Sequence, residues 1–283
     1  MRMRKSSALL LAAFFLAVFF ATDGAVNRLL KARAEAHNAI LAADKERPTA
    51  APPPYVARVR ITYHSGRGGM ANAVLIESGQ GLLLANAHIT EDARLFEVAI
   101  AGHSFLAETR EEWIDPVHDL ALLRVYDGPM GALPDHAPLA DGKGLYGNAV
   151  GLVGYLPTGP RRGEFAPYAV SGIVEKEHAA WGSKGFFMRI DVPIERRLMR
   201  FAHRHGIAIP TAKQRLLRDE FSVVEINCDG DNFHLQEGMS GSPMLHGGMV
   251  AGILSGAKKC TGFIIPAKVT KSFVETALAR SAP

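Results

Sequence analysis

The chain has 283 residues, of which 48% are hydrophobic and 21% charged, an ordinary balance for a globular protein with a packed core. A net charge of +4 is too small to indicate nucleic acid, and the sequence has no zinc-finger, RNP or P-loop pattern. We therefore expect no nucleic-acid partner. The 28 Gly and 16 Pro residues favour turns and short strands over a helical bundle.

The N-terminus is typical of an export signal. The basic stretch MRMRKSS precedes an uncharged apolar run at residues 8–21. A helix of that length spans roughly 21 Å, less than the roughly 30 Å hydrocarbon core of a membrane. The candidate cleavage sites are poor, so residues 1–24 are either a cleaved signal peptide or a short anchor in the inner membrane. In both cases we expect the rest of the chain to be exported, periplasmic or extracellular, with this segment as its membrane contact.

Residues 25–54 predict a spacer rather than a folded domain. Their Ala-rich, charged composition favours helix, but Arg33 and His37 interrupt the apolar stripe. The prolines at positions 52–54 end the helix and favour an extended linker. We therefore expect the folded domain to occupy residues 55–283.

Short strands separated by turns dominate this domain. The predicted strands are YVARVRITY, ANAVLIES, GLLLANAHIT, LFEVAIAG, HSFLAETRE, LALLRVYD, NAVGLVGY, YAVSGIVEKE, GFFMRIDV, FSVVEIN, SPMLHGG, MVAGILSG and TGFIIPA. The GQG tripeptide between the second and third of them predicts a hairpin turn. This spacing predicts a β-barrel or a β-sandwich.

Two helical segments depart from this rhythm. A helical insertion is predicted at about residues 195–225, with seven basic residues against three acidic ones between positions 195 and 220. These charges fit either a solvated helix face or a regulatory patch for anionic lipid or an acidic partner. The tail VTKSFVETALAR predicts a closing helix with Val269, Phe273 and Ala277 or Leu278 on one face.

Three separate segments carry the residues of a nucleophilic site. A serine hydroxyl needs a base within hydrogen-bond reach, and that base needs an orienting acid. His88 follows the apolar strand LLLANA, Asp119 precedes the strand LALLRV, and Ser240 lies in the Gly-rich loop EGMSGSP. Each residue alone is common in turns. Together, in the order His, Asp, Ser and each at a strand edge, they predict a catalytic triad.

The segments ANAHIT, DPVHDLALLRV and EGMSGSPML resemble the three catalytic blocks of trypsin-like serine proteases, especially the bacterial Deg/HtrA-type catalytic domain. YAVSGIVEKE, GILSG and TGFIIPA resemble the strands before and after the serine loop of that group. The resemblance covers about residues 58–275. It implies an all-β fold of two six-stranded antiparallel β-barrels, chymotrypsin-like, with a C-terminal helix. It also implies a serine endopeptidase that acts on polypeptide substrates without a metal or cofactor.

The same resemblance implies roles for individual residues. His88 would act as general base and then general acid, and Asp119 would orient its imidazole. Ser240 would attack the scissile carbonyl and form an acyl-enzyme. The backbone N–H groups of Gly238 and Ser240 would form the oxyanion hole.

Substrate recognition is implied for the segments around the serine loop. Ser255 and Gly256 would lie on the strand that pairs with an extended substrate backbone. His234 stands six residues before the nucleophile, where trypsin has an Asp, so a strong preference for basic side chains is not expected. Ala257 and Gly262 would leave room for a medium apolar side chain.

Two residues of the serine loop depart from the family pattern. Ser242 replaces the second glycine, a small change that should not block the chemistry. Met239 replaces the Asp with which trypsin-type zymogens bind a freed N-terminus. This suggests that activity does not depend on that kind of cleavage. We expect no PDZ domain after the protease-like region, unlike in most Deg-type proteins.

The two cysteines, Cys228 and Cys260, lie on either side of Ser240. An exported chain sits where disulfides persist, and an even count permits one bridge. Two buried, unpaired thiols are the other interpretation.

Other classes of protein fit the sequence less well. An α/β-hydrolase esterase needs G-x-S-x-G and the order Ser, acid, His, whereas here the histidine precedes the serine. A metalloprotease of the H-E-x-x-H type is disfavoured because that motif is missing. The stronger rival is a catalytically idle protease fold that serves as a membrane-tethered binding or scaffold module, although all three triad residues are present.

Overall fold

The computed structural model describes residues 51–116, 118–141, 145, 147–158, 165–179, 221–226, 235, 237–258 and 261–281. All of these residues belong to one compact unit, Pro48–Pro283. The predicted export segment, the spacer up to residue 50 and the basic stretch at 195–220 lie outside the described residues. None of the helices in the described ranges is long and apolar enough to cross a membrane.

The N-terminal half forms a seven-stranded antiparallel sheet in the order β3-β2-β1-β4-β5-β7-β6. Pairing of β3 with β7 closes six of these strands into a barrel. The strands are β1 (Val56–Tyr63), β2 (Gly68–Glu77), β3 (Leu82–Ala85), β4 (Ala93–Ile100), β5 (His103–Glu108), β6 (Ile114–Asp115) and β7 (Leu120–Asp127).

The C-terminal half forms a second closed antiparallel barrel in the order β10-β13-β12-β11-β8-β9. Its strands are β8 (Ala149–Pro157), β9 (Phe165–Ala179), β10 (Phe221–Ile226), β11 (Pro243–His246), β12 (Met249–Lys258) and β13 (Thr261–Pro266). The helix α1 (Ala267–Ser281) follows directly. The predicted all-β, chymotrypsin-like fold of two six-stranded barrels with a closing helix is therefore confirmed.

Burial explains why β3 lacks the usual alternation of polar and apolar residues. Leu83 and Ala85 point into the core of the first barrel. Leu82 and Leu84 belong to a second apolar cluster, together with Ile253 of β12. A strand buried on both faces is apolar at every position. The contact with Ile253 shows that the end of β3 lies next to the second barrel.

The closing helix packs on the cluster between the barrels. Ala277 is buried there, and Val269, Phe273 and Leu278 are partly buried against the same cluster. These are the residues that the sequence placed on one helical face, so the predicted packing of α1 is confirmed.

Candidate active site

His88 lies in a single 3-10 turn, Ala87–Ile89, immediately after β3. Ala87 and Ile89 are buried and anchor the turn, whereas the His88 side chain stays 23% exposed. The backbone N–H of His88 donates to Asp119 Oδ1 over 2.9 Å. The turn therefore holds the imidazole at the rim of the first barrel.

Asp119 occupies an unusual backbone conformation just before β7. Its φ is +58°, in the left-handed region that costs about 1–2 kcal/mol for a residue with a Cβ. Its carbonyl oxygen accepts a hydrogen bond of 3.1 Å from Nδ2 of the buried Asn86. Strain of this kind clusters at functional sites, where the surrounding structure enforces it.

The three residues predicted to act together meet in the structure. His88 Nδ1 lies 2.9 Å from Asp119 Oδ2 and 3.0 Å from Oδ1. His88 Nε2 lies 3.1 Å from Ser240 Oγ. Because a carboxylate can only accept, Nδ1 carries the proton and Nε2 is left to accept the serine hydroxyl. This is the geometry that a general base needs to activate a nucleophile.

A fourth side chain joins this chain of hydrogen bonds. Ser255 Oγ donates to Asp119 Oδ2 over 2.5 Å. Ser255 has no counterpart in the pairing of β12 with β13, where the register shifts between Leu254 and Gly256. Such a bulge redirects a side chain, and here it turns the hydroxyl toward the acid. Sequence reasoning placed Ser255 on the correct strand but missed this contact.

The loop that carries Ser240 is held from two sides. The backbone N–H of Asn72 on β2 donates to Ser240 O over 2.7 Å, and Gly241 N donates to Leu254 O over 2.9 Å. Gly238 and Gly241 have φ of +93° and +83°, values that glycine adopts without strain. Both glycines are therefore required by the backbone path of the loop.

The backbone N–H groups of Gly238 and Ser240 make no hydrogen bond within the described part of the chain. Donors left unpaired beside a nucleophile can receive the charge that develops on a substrate carbonyl. This is the position in which the resemblance implied an oxyanion hole.

Two of the implied specificity residues are described, and they are partners in neighbouring strands. Ala257 of β12 pairs with Gly262 of β13. A Cβ on Gly262 would lie 3.1 Å from Leu254 Cδ1 and 3.3 Å from Leu235 Cδ1, so its surroundings are apolar. His234, Cys228 and Cys260 lie outside the described residues.

Asn72 is a further polar residue of the site that sequence reasoning missed. It is fully buried in the middle of β2, among apolar residues, and bonds to both the serine loop and β8. A lone Asn inside an apolar strand is itself a signal, because buried polar groups need partners. Among the described residues, no group of three or more His, Cys, Asp or Glu could hold a metal ion.

No protein-family model and no curated protein matches the sequence. Solved structures do match. The HtrA-type protease AlgW with a tripeptide aligns at a TM-score of 0.55 and 20% identity, covering 81% of this chain and 61% of that one. The chain thus spans less than two thirds of AlgW.

Two further solved structures are similar to the chain. The serine endoprotease from Yersinia pestis aligns at a TM-score of 0.53 and 19% identity, covering 83% of this chain and 68% of that one. The Rv3671c protease from M. tuberculosis in its active form aligns at a TM-score of 0.53 and 17% identity, covering 81% of this chain and 89% of that one. The fold is therefore that of the HtrA-type serine proteases.

Proposed function

We propose that the protein is a serine endopeptidase that cleaves polypeptides through His88, Asp119 and Ser240. The observation that carries the proposal is the unbroken chain of hydrogen bonds from Asp119 Oδ2 through His88 to Ser240 Oγ, with distances of 2.9 Å and 3.1 Å. These two contacts supply what a serine hydroxyl lacks, an oriented base within reach.

The proposed reaction proceeds in two steps. Ser240 Oγ attacks the scissile carbonyl while His88 Nε2 takes the hydroxyl proton, and Asp119 stabilises the imidazolium that forms. His88 then gives this proton to the leaving amine, and the acyl-enzyme remains. Water, activated by the same imidazole, releases the acid and regenerates Ser240. The N–H groups of Gly238 and Ser240 stabilise the oxyanion in both steps.

The proposed substrate is an extended polypeptide. The bulge in β12 leaves Ser255 outside the sheet register, and Gly256 follows at the edge of the site. An added substrate strand would find backbone partners along this segment, the usual way in which extended peptides are bound. We also propose that the enzyme acts outside the cytoplasm, because its basic and apolar N-terminus is typical of an export signal.

The test uses the full-length protein, purified in a mild detergent, and a fluorophosphonate probe that labels activated serines. We expect the wild type to be labelled and Ser240→Ala and His88→Ala to lose the label. Ser104→Ala and His103→Ala, at two exposed positions of β5, serve as matched controls and should label normally. A well-folded wild type that stays unlabelled would reject the proposal in favour of an idle scaffold. Internal cleavage of casein, followed by mass spectrometry, distinguishes an endopeptidase from an esterase.

A further inference from the structure

Three successive carbonyl groups of the serine loop are hydrogen-bonded. Gly238 O accepts from Asn72 Nδ2 over 3.1 Å, and Ser240 O accepts from Asn72 N over 2.7 Å. Between them, Met239 O accepts from Ser242 twice, from its N–H at 3.2 Å and from its Oγ at 2.6 Å. Two residues, Asn72 and Ser242, thus hold all three of these carbonyl groups.

Both N–H groups and the oxygen of the Asn72 side-chain amide are hydrogen-bonded. One N–H of its amide donates to Gly238 O and the other to Tyr155 O, at 2.9 Å. Its Oδ1 accepts from Tyr155 N over 2.8 Å. Asn72 belongs to the first barrel and Tyr155 to the second, so one buried amide fixes the serine loop against both.

Ser242 is held in one orientation by Tyr168. The Ser242 hydroxyl must donate to Met239 O, because a carbonyl only accepts. It can therefore only accept from Tyr168 OH, which lies 2.6 Å away. Burial raises the pKa of Tyr168 well above its usual value, against a smaller lowering by the Ser242 hydrogen bond. Tyr168 consequently stays a donor at physiological pH, and the relay from Tyr168 through Ser242 to Met239 has a single direction.

These bonds aim the two unpaired N–H groups. A peptide unit is planar and its C=O and N–H point in opposite directions. Fixing Met239 O toward Ser242 therefore fixes the Ser240 N–H on the other side, away from the relay. Fixing Gly238 O toward Asn72 restrains the rotation of Gly238, whose N–H is the second donor. Both donors are oriented before any substrate arrives.

The two supports pack against a common point. A Cβ on Gly154 of β8 would lie 2.6 Å from Ser242 Oγ and 3.0 Å from Asn72 Oδ1. Met239, between the two supported carbonyls, is fully buried in the apolar core of the second barrel. The loop therefore has an apolar anchor and buried polar supports, where a zymogen would need an acid and a freed N-terminus.

We propose that Asn72 and Ser242, the latter oriented by Tyr168, are positioning residues that hold the oxyanion hole in its working geometry. This inference rests on the proposed function. Neither residue touches the reacting atoms. They act through the backbone N–H groups of Gly238 and Ser240.

The test measures acylation of the full-length protein by p-nitrophenyl acetate, from the initial burst of p-nitrophenolate. Loss of a complete oxyanion donor costs about 10²–10³-fold in rate. Because Met239 O keeps the bond from Ser242 N, we expect Ser242→Ala to slow acylation about tenfold, with the dissociation constant for the ester nearly unchanged. Asn72→Ala should cost about 10²-fold and Tyr168→Phe about threefold. The double variant Ser242→Ala/Tyr168→Phe should be no slower than Ser242→Ala, since the relay acts as a unit.

Thr270→Val is the matched control. The Thr270 hydroxyl is also buried and donates to a carbonyl three residues earlier, Ala267 O, but it lies on the closing helix. Its loss should leave the acylation rate unchanged. Asn72→Ala removes a buried side chain, so circular dichroism checks its fold. If Asn72→Ala unfolds, the acylation rates of Ser242→Ala and Tyr168→Phe, which each remove only a hydroxyl group, decide whether the positioning role holds.

The outcomes separate this inference from the proposed function. A wild type with no burst and no fluorophosphonate label overturns both. A reactive wild type with folded Ser242→Ala at the same acylation rate overturns the positioning role alone. Equal slowing in Thr270→Val also overturns it, because the effect would then be one of general stability.

Discussion

Replacement of Gly241 by alanine should damage both the active site and the fold. Gly241 lies directly after Ser240 with φ of +83°, and a Cβ there would overlap the Asn72 carbonyl oxygen and stand 2.7 Å from the carbonyl carbon. Real Cβ atoms essentially never come within 3.0 Å of a neighbour, and both of these atoms are backbone. The loop or β2 must therefore move by about 1 Å, and a shift of that size can cost about 10²-fold in rate.

The expected magnitude has two parts. The left-handed conformation costs about 1–2 kcal/mol for alanine. Overpacking against a backbone that cannot yield adds about 1–3 kcal/mol. At about 2–4 °C per kcal/mol for a domain of this size, Gly241→Ala should unfold roughly 10 °C below the wild type. Acylation by p-nitrophenyl acetate should fall about 10²-fold.

Gly248 provides a matched control for this prediction. It has almost the same φ, +81°, but a Cβ there would meet nothing within 4 Å. It lies in the two-residue turn between β11 and β12. Gly248→Ala should therefore show the backbone strain alone, a loss of about 4 °C with unchanged acylation. The reasoning is refuted if the two variants unfold at the same temperature and acylate at the same rate.

Two further predictions concern hydroxyl groups of the site. Ser255→Ala removes the 2.5 Å bond to Asp119 Oδ2 and should lower the acylation rate about tenfold, since a hydrogen bond to a charged group contributes about 1.5–3 kcal/mol. An unchanged rate in the burst assay would show that the His88 contacts orient Asp119 without Ser255. Tyr168 should make the free energy of unfolding fall at alkaline pH, because burial raises its pKa above the ordinary value of 10.0. Above about pH 10 the unfolded state releases this proton while the folded state keeps it, so stability declines by about 1.4 kcal/mol per pH unit. Urea titrations at pH 9 to 11 should show a steeper decline for the wild type than for Tyr168→Phe, and parallel declines would contradict the assignment.

The barrels and the meeting of His88, Asp119 and Ser240 could be predicted because their signals are local. His88, Asp119 and Ser240 each stand at the edge of an apolar strand within a short recognisable segment. The barrel strands can be predicted from apolar runs that are bounded by turns. The structure confirms the fold and brings the three side chains together as expected.

The supports of the site could not be predicted because their partners are distant in sequence. Asn72 binds a carbonyl 166 residues away, and Ser255 binds an acid 136 residues away. The bond between Ser242 and Tyr168 spans 74 residues. The sequence indicates only that Ser242 replaces a glycine of the serine loop without blocking the chemistry. In the structure its hydroxyl is a buried part of the serine loop, which a local pattern cannot reveal.

The close packing around Gly154 has a consequence for how this chain can evolve. A Cβ there would displace Ser242 Oγ, which would lie 2.6 Å away, and would press on Asn72 Oδ1 at 3.0 Å. We therefore expect a lineage that gains an alanine at position 154 to replace the serine and the asparagine as well. Among natural relatives of this chain, positions 72, 154, 168 and 242 should consequently change as a set, which makes their joint occurrence a sequence signature of this type of serine loop.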